Sequence, residues 1–194
     1  MGSHARAAGT VTDHELRRWY DRVHRDIYTS RGHQLTWDER IAAAHLRTGG
    51  TGVIAGVAAS ALLGAEWVDG DIPIEMIWNI SRAPARIIVR RERIGADEIT
   101  AHRGVPVTTP TRTALDIGRH LGRGEAIARL DALQRATPFQ QDDVVALVER
   151  YRGARGLKQL RSLLPLVDGG AESPRESRLR LLYLDAGFPD LTTD

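Results

Sequence analysis

The 194-residue chain has no cysteine, two methionines, two phenylalanines and almost no lysine. Without cysteine there are no disulfides, thiolate nucleophiles or cysteine-ligated zinc, and the composition fits a reducing compartment, the cytoplasm. Scarce lysine leaves arginine, with Lys158 as companion, to carry the positive charge. The arginine fork suits bidentate contacts to phosphate. Long apolar runs are also missing. The longest uncharged stretch, Thr48 to Ala65, is rich in Gly and Ala and falls short of the ~20 apolar residues a bilayer-crossing helix needs. Residues 1–30 hold no apolar leader core, so no membrane partner is expected. A formal charge of +2 and a pI near 9.4 are mildly basic, and composition alone names no nucleic-acid role.

What the chain does have is helix punctuation. Thr12-Asp13-His14-Glu15 and Thr36-Trp37-Asp38-Glu39 are both capping boxes, in which a threonine hydroxyl and a glutamate three residues on satisfy the first-turn N–H groups. The first predicts a helix from Asp13 to Tyr20 with Leu16 and Trp19 or Tyr20 inward. A short helix over Ser3 to Ala8 precedes it. The stretch after it alternates through Val23, Ile27 and Tyr28 with a turn at Arg25-Asp26, which reads as a hairpin. Helix, turn, helix and basic hairpin is the order of a small winged helix-turn-helix, whose second helix enters the major groove while the wing meets the backbone. This places His14, Arg17 and Arg18 on the recognition helix, with Arg22, Arg25 and Arg31 near phosphates. The competing reading of the same residues is an amphipathic helix with a solvated basic face.

The second box opens a helix through Arg47, ended by Gly49-Gly50-Thr51-Gly52, and Val53 to Gly64 is expected to form another, small-residue helix. From Ile72 to Ser81 a period-two pattern predicts a strand with Ile74, Met76 and Trp78 on one face. Further strands are expected over Ala85 to Arg93, Glu98 to His102 and Val105 to Val107, making a small mixed or antiparallel sheet. Arg90, Arg91 and Arg93 read best as a solvated sheet edge. Downstream, apolar residues at helical spacing predict helices over Gly124 to Arg135, Gln141 to Arg152 and Leu157 to Leu164. Five cations from Arg150 to Arg161 accompany the last two, a pattern that is usually a wet face.

Val105 to Leu121 packs the most information into one stretch. Thr109 stands as an N-cap before Pro110 at N1, where a missing N–H costs nothing, and Arg112 and Asp116 lie one helical turn apart. The residues alone describe a well-capped core helix. The V-P-V-T-T-P-T-R-T-A-L-D run, however, resembles the signature of the AbiEi-like type IV antitoxin family, common in actinobacteria, with Thr109, Pro110, Arg112, Thr113 and Asp116 as the motif positions. Gly153 to Arg180 resembles the segment that joins such a module to a very-short-patch-repair-like endonuclease domain.

The resemblance implies an N-terminal winged helix that binds double-stranded DNA, and a partner that is a cognate nucleotidyltransferase-type toxin or a second copy of the chain. The expected fold is α+β: a winged helix-turn-helix over residues 1–34, a middle domain of small β-sheet and helices over 35–168, and the first helix of a nuclease-like domain over 169–194. The alternative is the N-terminal part of a Mg²⁺-dependent PD-(D/E)XK-type endonuclease. That chemistry needs several carboxylates around a hard cation, and those carried by the resemblance lie beyond Asp194. Glu176 is the one candidate within the chain. It is also the N3 member of a Ser173-x-x-Glu176 capping arrangement, which accounts for it without metal. Neither H-E-x-x-H nor G-x-S-x-G occurs. The sequence therefore predicts no catalytic centre, no metal site and no cofactor.

Overall fold

The computed structural model describes residues 1–188 and has the expected α+β composition, with helix outweighing strand. The chain forms two compact units, Met1–Ile54 with Gly70–Arg93, and Ala55–Asp69 with Ile94–Asp194. The expected boundaries at 34 and 168 fall inside these units. Strand pairing groups the middle of the chain with its N-terminal part, and helix packing ties its C-terminal part to the rest of the second unit.

In the first unit, α1 (Gly2–Ala7) and α2 (Asp13–Trp19) precede a two-stranded hairpin of β1 (Tyr20–His24) and β2 (Ile27–Ser30). The turn falls at Arg25-Asp26, and Asp26 takes a left-handed φ of 66°. Asparagine and aspartate tolerate that region best among residues with a Cβ. The Asp26 carboxylate accepts from the Ser3 N–H (2.6 Å) and hydroxyl, and its carbonyl accepts from the Gly2 N–H (2.9 Å), which anchors α1 on the turn. Leu16, Ile27, Ile41, Ala43 and Ala44 are among the buried apolar residues of this unit. Trp19 and Tyr20, one of which was expected inward, are both exposed, because the helix stops at Trp19 and Tyr20 begins a strand.

After α3 (Trp37–Arg47), the left-handed glycines Gly49 and Gly50 turn the chain into β3 (Val53–Ile54). β3 pairs antiparallel with β4 (Ile74–Ile77), and β4 pairs parallel with β5 (Ile87–Arg90). Flanked on both edges, β4 is buried at all four positions, not at alternate ones as its pattern suggested. Buried Glu75 is tolerated because Arg90 Nε donates to it at 2.6 Å, so Arg90 serves the interior and not a free edge. Trp78 has left the strand and lies beneath the Arg47 guanidinium, 5.4 Å from the ring centre.

The second unit opens with α4 (Gly56–Leu62). The helix expected from Val53 starts three residues later, since the β-branched pair Val53-Ile54 takes extended geometry and Ala55 follows it there. Strands β6 (Ile99–His102) and β7 (Val105–Thr108) form a tight hairpin whose loop residues Arg103 and Gly104 both have positive φ, 48° and 80°, as a two-residue primed turn requires. Five helices follow: α5 (Pro110–His120), α6 (Arg123–Ala136), α7 (Gln141–Arg150), α8 (Leu157–Leu163) and α9 (Pro174–Asp185).

Helix α5 is the axis of this unit, with every residue from Arg112 to Gly118 buried. Leu115 and Ile117 pack in one cluster with Ile127, Leu130, Val144 and Leu160. Full burial of each such side chain is worth about 1.5–3 kcal/mol. Two glycines set how closely the helices approach. A Cβ on Gly118 would collide with Leu160 of α8, and one on Gly156, at φ 81°, with the carbonyl of Arg119.

Candidate nucleic-acid interface

The cations expected to meet DNA lie on α2 and the adjoining hairpin. Thr12 caps α2 by accepting from the Glu15 N–H (3.2 Å), and the Glu15 carboxylate accepts from the Thr12 N–H (2.8 Å). Those bonds, the backbone one foremost, hold the Glu15 carboxyl below its ordinary value. The capped helix presents His14, Arg17 and Arg18 to solvent, and Arg18 lies over the exposed Trp19 ring at 4.9 Å. Arg22 on β1 and Arg25 in the turn are also exposed. Arg31 is exposed but partly engaged: it donates to the Arg17 carbonyl at 2.5 Å and lies 3.7 Å from Asp21. Of the six, Arg31 alone forms an ion pair among the described residues, while His14 feels the charge of the neighbouring Glu15 carboxylate.

The signature residues have the opposite fate. Thr109 accepts from the Arg112 N–H (3.3 Å) with Pro110 at N1, and the Thr108 and Thr113 hydroxyls share a bond of 2.7 Å. Arg112 is 1% exposed. Its Nε donates to both Asp116 oxygens at 3.1 Å, its Nη1 donates to Glu98 at 2.6 Å, and its guanidinium lies 5.1 Å from the centre of the Tyr151 ring. Glu98 also accepts from the Tyr151 hydroxyl (2.6 Å) and from Arg150 (2.7 Å), and Arg119 stands 3.7 Å from Asp116. Burial pushes the Glu98 carboxyl up, but the bonds from Tyr151, Arg112 and Arg150 outweigh it and hold the group below its usual range. Burial and the bond to Glu98 push the Tyr151 hydroxyl up. The motif thus ties the start of β6, α5 and the end of α7 together from inside. Sequence spacing shows the Arg112–Asp116 pair; Glu98 and Tyr151, 14 and 39 positions from Arg112, carry no local signal of joining it.

The cation run of α7 and α8 is largely neutralised. Arg150 pairs with Asp97 and Glu98, and Arg152 and Arg161 both pair with Glu149. Glu176 accepts from the Ser173 hydroxyl (3.0 Å) and the Glu172 N–H (2.8 Å), while its own N–H donates to Ser173 (3.3 Å), so its carboxylate is engaged at the start of α9. Helix α9 is pinned to α6 by a buried pair, Arg180 to Asp131 at 2.9 Å. Among the described residues no three His, Asp or Glu side chains are grouped to hold a metal ion, and no helix is long and apolar enough to cross a membrane.

The family model of the AbiEi antitoxin C-terminal domain matches residues 53–166, more than half of the chain. The chain belongs to the AbiEi antitoxin family. It is also 34% identical over 151 residues to two uncharacterized proteins of Mycobacterium tuberculosis, one from strain CDC 1551 and one from strain H37Rv. Those alignments cover 77% of this chain and 55% of each relative, so the chain spans about half the length of the curated relatives it matches. The AbiEi match contains the whole buried Arg112 network. Residues 1–52, with α2 and the basic hairpin, precede it.

Proposed function

We propose that this AbiEi-family chain is an antitoxin-type regulator that binds duplex DNA through α2 and the β1–β2 hairpin. The observation that carries this reading is that Arg17, Arg18, Arg22 and Arg25, with His14 beside them, stand exposed on one capped helix and its hairpin without an ion pair among the described residues, while most other arginines of that unit are engaged. A seven-residue helix is about 10 Å long, which suits a major groove ~12 Å wide. In this arrangement α2 reads the groove, and Arg22, Arg25 and Arg31 meet phosphates as a wing does. The antitoxin family supplies the second half: a toxin, or a second copy of the chain, is the protein partner. Arg155 and Lys158, exposed and without an ion pair among the described residues, are candidate contacts to it.

About four phosphate contacts from helix and hairpin give a log-log salt slope near −3.6, at ~0.9 per phosphate. Gel-shift titrations of the wild-type chain and the Arg17→Ala/Arg18→Ala variant test the assignment. Loss of affinity on a fold that melts normally is the expected result. An unchanged affinity removes α2 from the interface.

A further inference from the structure

The first unit contains a second cationic feature. A groove runs beside the hairpin, lined by Arg22, His24 and Arg25 on one side, Arg47 at the end of α3, and Arg82 with Ser81 from the β4–β5 connection. No carboxylate among the described residues lines it. Four arginines in one groove exceed the +2 formal charge of the entire chain. Outside α2 and the groove, several arginines of the unit are matched: Arg6 with Asp13, Arg40 and Arg86 with Asp71, and Arg90 with Glu75. The four in the groove have no ion pair among the described residues. Arg47 is moreover held in place by the Trp78 ring beneath it, and its Nε is buried with no hydrogen-bond partner among the described residues. Burial, and after it the nearby Arg47 charge, lowers the His24 pKa, so the groove's field already disfavours one more cation.

An oriented guanidinium flanked by arginines without ion pairs, with no acid among the described lining residues, matches a chain of phosphodiesters. A single small anion would satisfy one or two of these groups and leave the rest repelling one another. We propose that this groove carries one strand of the bound duplex past the hairpin, with Arg47 and Arg82 as phosphate contacts beyond α2 and the wing. This assignment rests on the duplex-binding reading and extends it: the β4–β5 connection, far from residues 1–34 in sequence, becomes part of the DNA-binding surface. Arg22 lines both this groove and the hollow beside Arg17 of α2, which makes the hairpin the link between groove reading and backbone contact.

The groove adds two phosphates to the four already counted. The wild-type salt slope then steepens to about −5.4, at ~0.9 per contact. Fluorescence anisotropy with a labelled duplex of arbitrary sequence, titrated across salt, measures it. The Arg47→Ala/Arg82→Ala variant is expected to return to about −3.6 and to lose affinity by a similar factor on every duplex tested, as backbone contacts carry no sequence information. Arg82→Glu, on an exposed connection, is expected to weaken binding without lowering the melting temperature, which covers the case in which loss of Arg47 disturbs the stack on Trp78. If both variants bind like wild type while Arg17→Ala/Arg18→Ala does not, the groove is not a phosphate track and the duplex-binding reading stands. If the wild-type chain binds no duplex at any salt, that reading fails. Tighter binding to single-stranded RNA than to duplex DNA, abolished by Arg82→Glu, overturns the choice of partner.

Discussion

Replacing Arg112 with alanine tests how the signature motif works. The substitution removes the one guanidinium that bonds both Asp116 and Glu98, each 2% exposed, and leaves Glu98 with Arg150 and Tyr151, and Asp116 with Arg119, as remaining partners. Removing one partner of a buried pair costs about 3–5 kcal/mol where the remaining charge is left uncompensated, and the surviving bonds from Arg150 and Arg119 put this case toward the lower end. For a chain of this size each kcal/mol lowers the melting midpoint by roughly 2–4 °C, so a fall of roughly 6–20 °C is expected at neutral pH. The pH dependence separates electrostatics from lost packing. In the wild type Glu98 is held below its ordinary range, so the stability it contributes is present at neutral pH and is lost as pH falls from the usual glutamate value, about 4.3, through the folded one. In the variant the two carboxyls have lost their most buried cation, so burial pushes them up relative to the wild type, and they relax by taking protons as pH falls. The gap between variant and wild type therefore narrows from pH 7 to pH 4. Calorimetric melting at both pH values gives the answer. A shift under about 2 °C at pH 7, or a gap that widens in acid, would refute the reasoning.

Other substitutions follow from the same packing. Gly156→Ala meets both a left-handed φ and the Arg119 carbonyl, and should cost at least the 1–3 kcal/mol typical of overpacking, about 1–3 again for Gly118→Ala against Leu160, with Gly156 the worse because backbone cannot step aside; urea midpoints rank them. Asp131→Asn should be milder than Arg112→Ala, since burial already pushes the Asp131 carboxyl up against its bonds from Asp168, Ser177 and Arg180, and one of its two accepting oxygens is kept. A loss as large as that of Arg112→Ala would contradict this. Glu176→Ala should lower stability slightly, through the cap on α9, as thermal melting would register; loss of a Mg²⁺-dependent nicking activity in that variant would point to the nuclease reading instead.

How much of this was legible in the residues depends on the reach of each interaction. Caps are local, and both threonine capping boxes, the Thr109–Pro110 start of α5 and the Ser173–Glu176 start of α9 are where the spacing put them. The hairpin turn at Arg25-Asp26 is local too. The β4 strand was placed, but its burial on both faces depends on two partners distant in sequence, which a period-two pattern cannot show. Val53 and Ile54 read as the start of a helix along the chain, and pairing with Ile77 and Met76 makes them a short strand instead. The same limit applies to the sites. Arg17, Arg18 and Arg22 stand out as a cluster along the chain, whereas Arg47 and Arg82 join them only once β4 and β5 have been built. The motif around Arg112 is conspicuous as a string, and only the fold reveals that it faces inward.

The central claim is that exposed cations near the amino end meet DNA while the antitoxin signature braces the interior. Amide hydrogen exchange with and without duplex DNA tests it most directly. The account predicts added protection across Asp13–Trp19 and the Tyr20–Ser30 hairpin, with the exposed amides near Arg152 to Lys158 unchanged. Protection confined to that second region, with the first thirty residues exchanging as before, would contradict it.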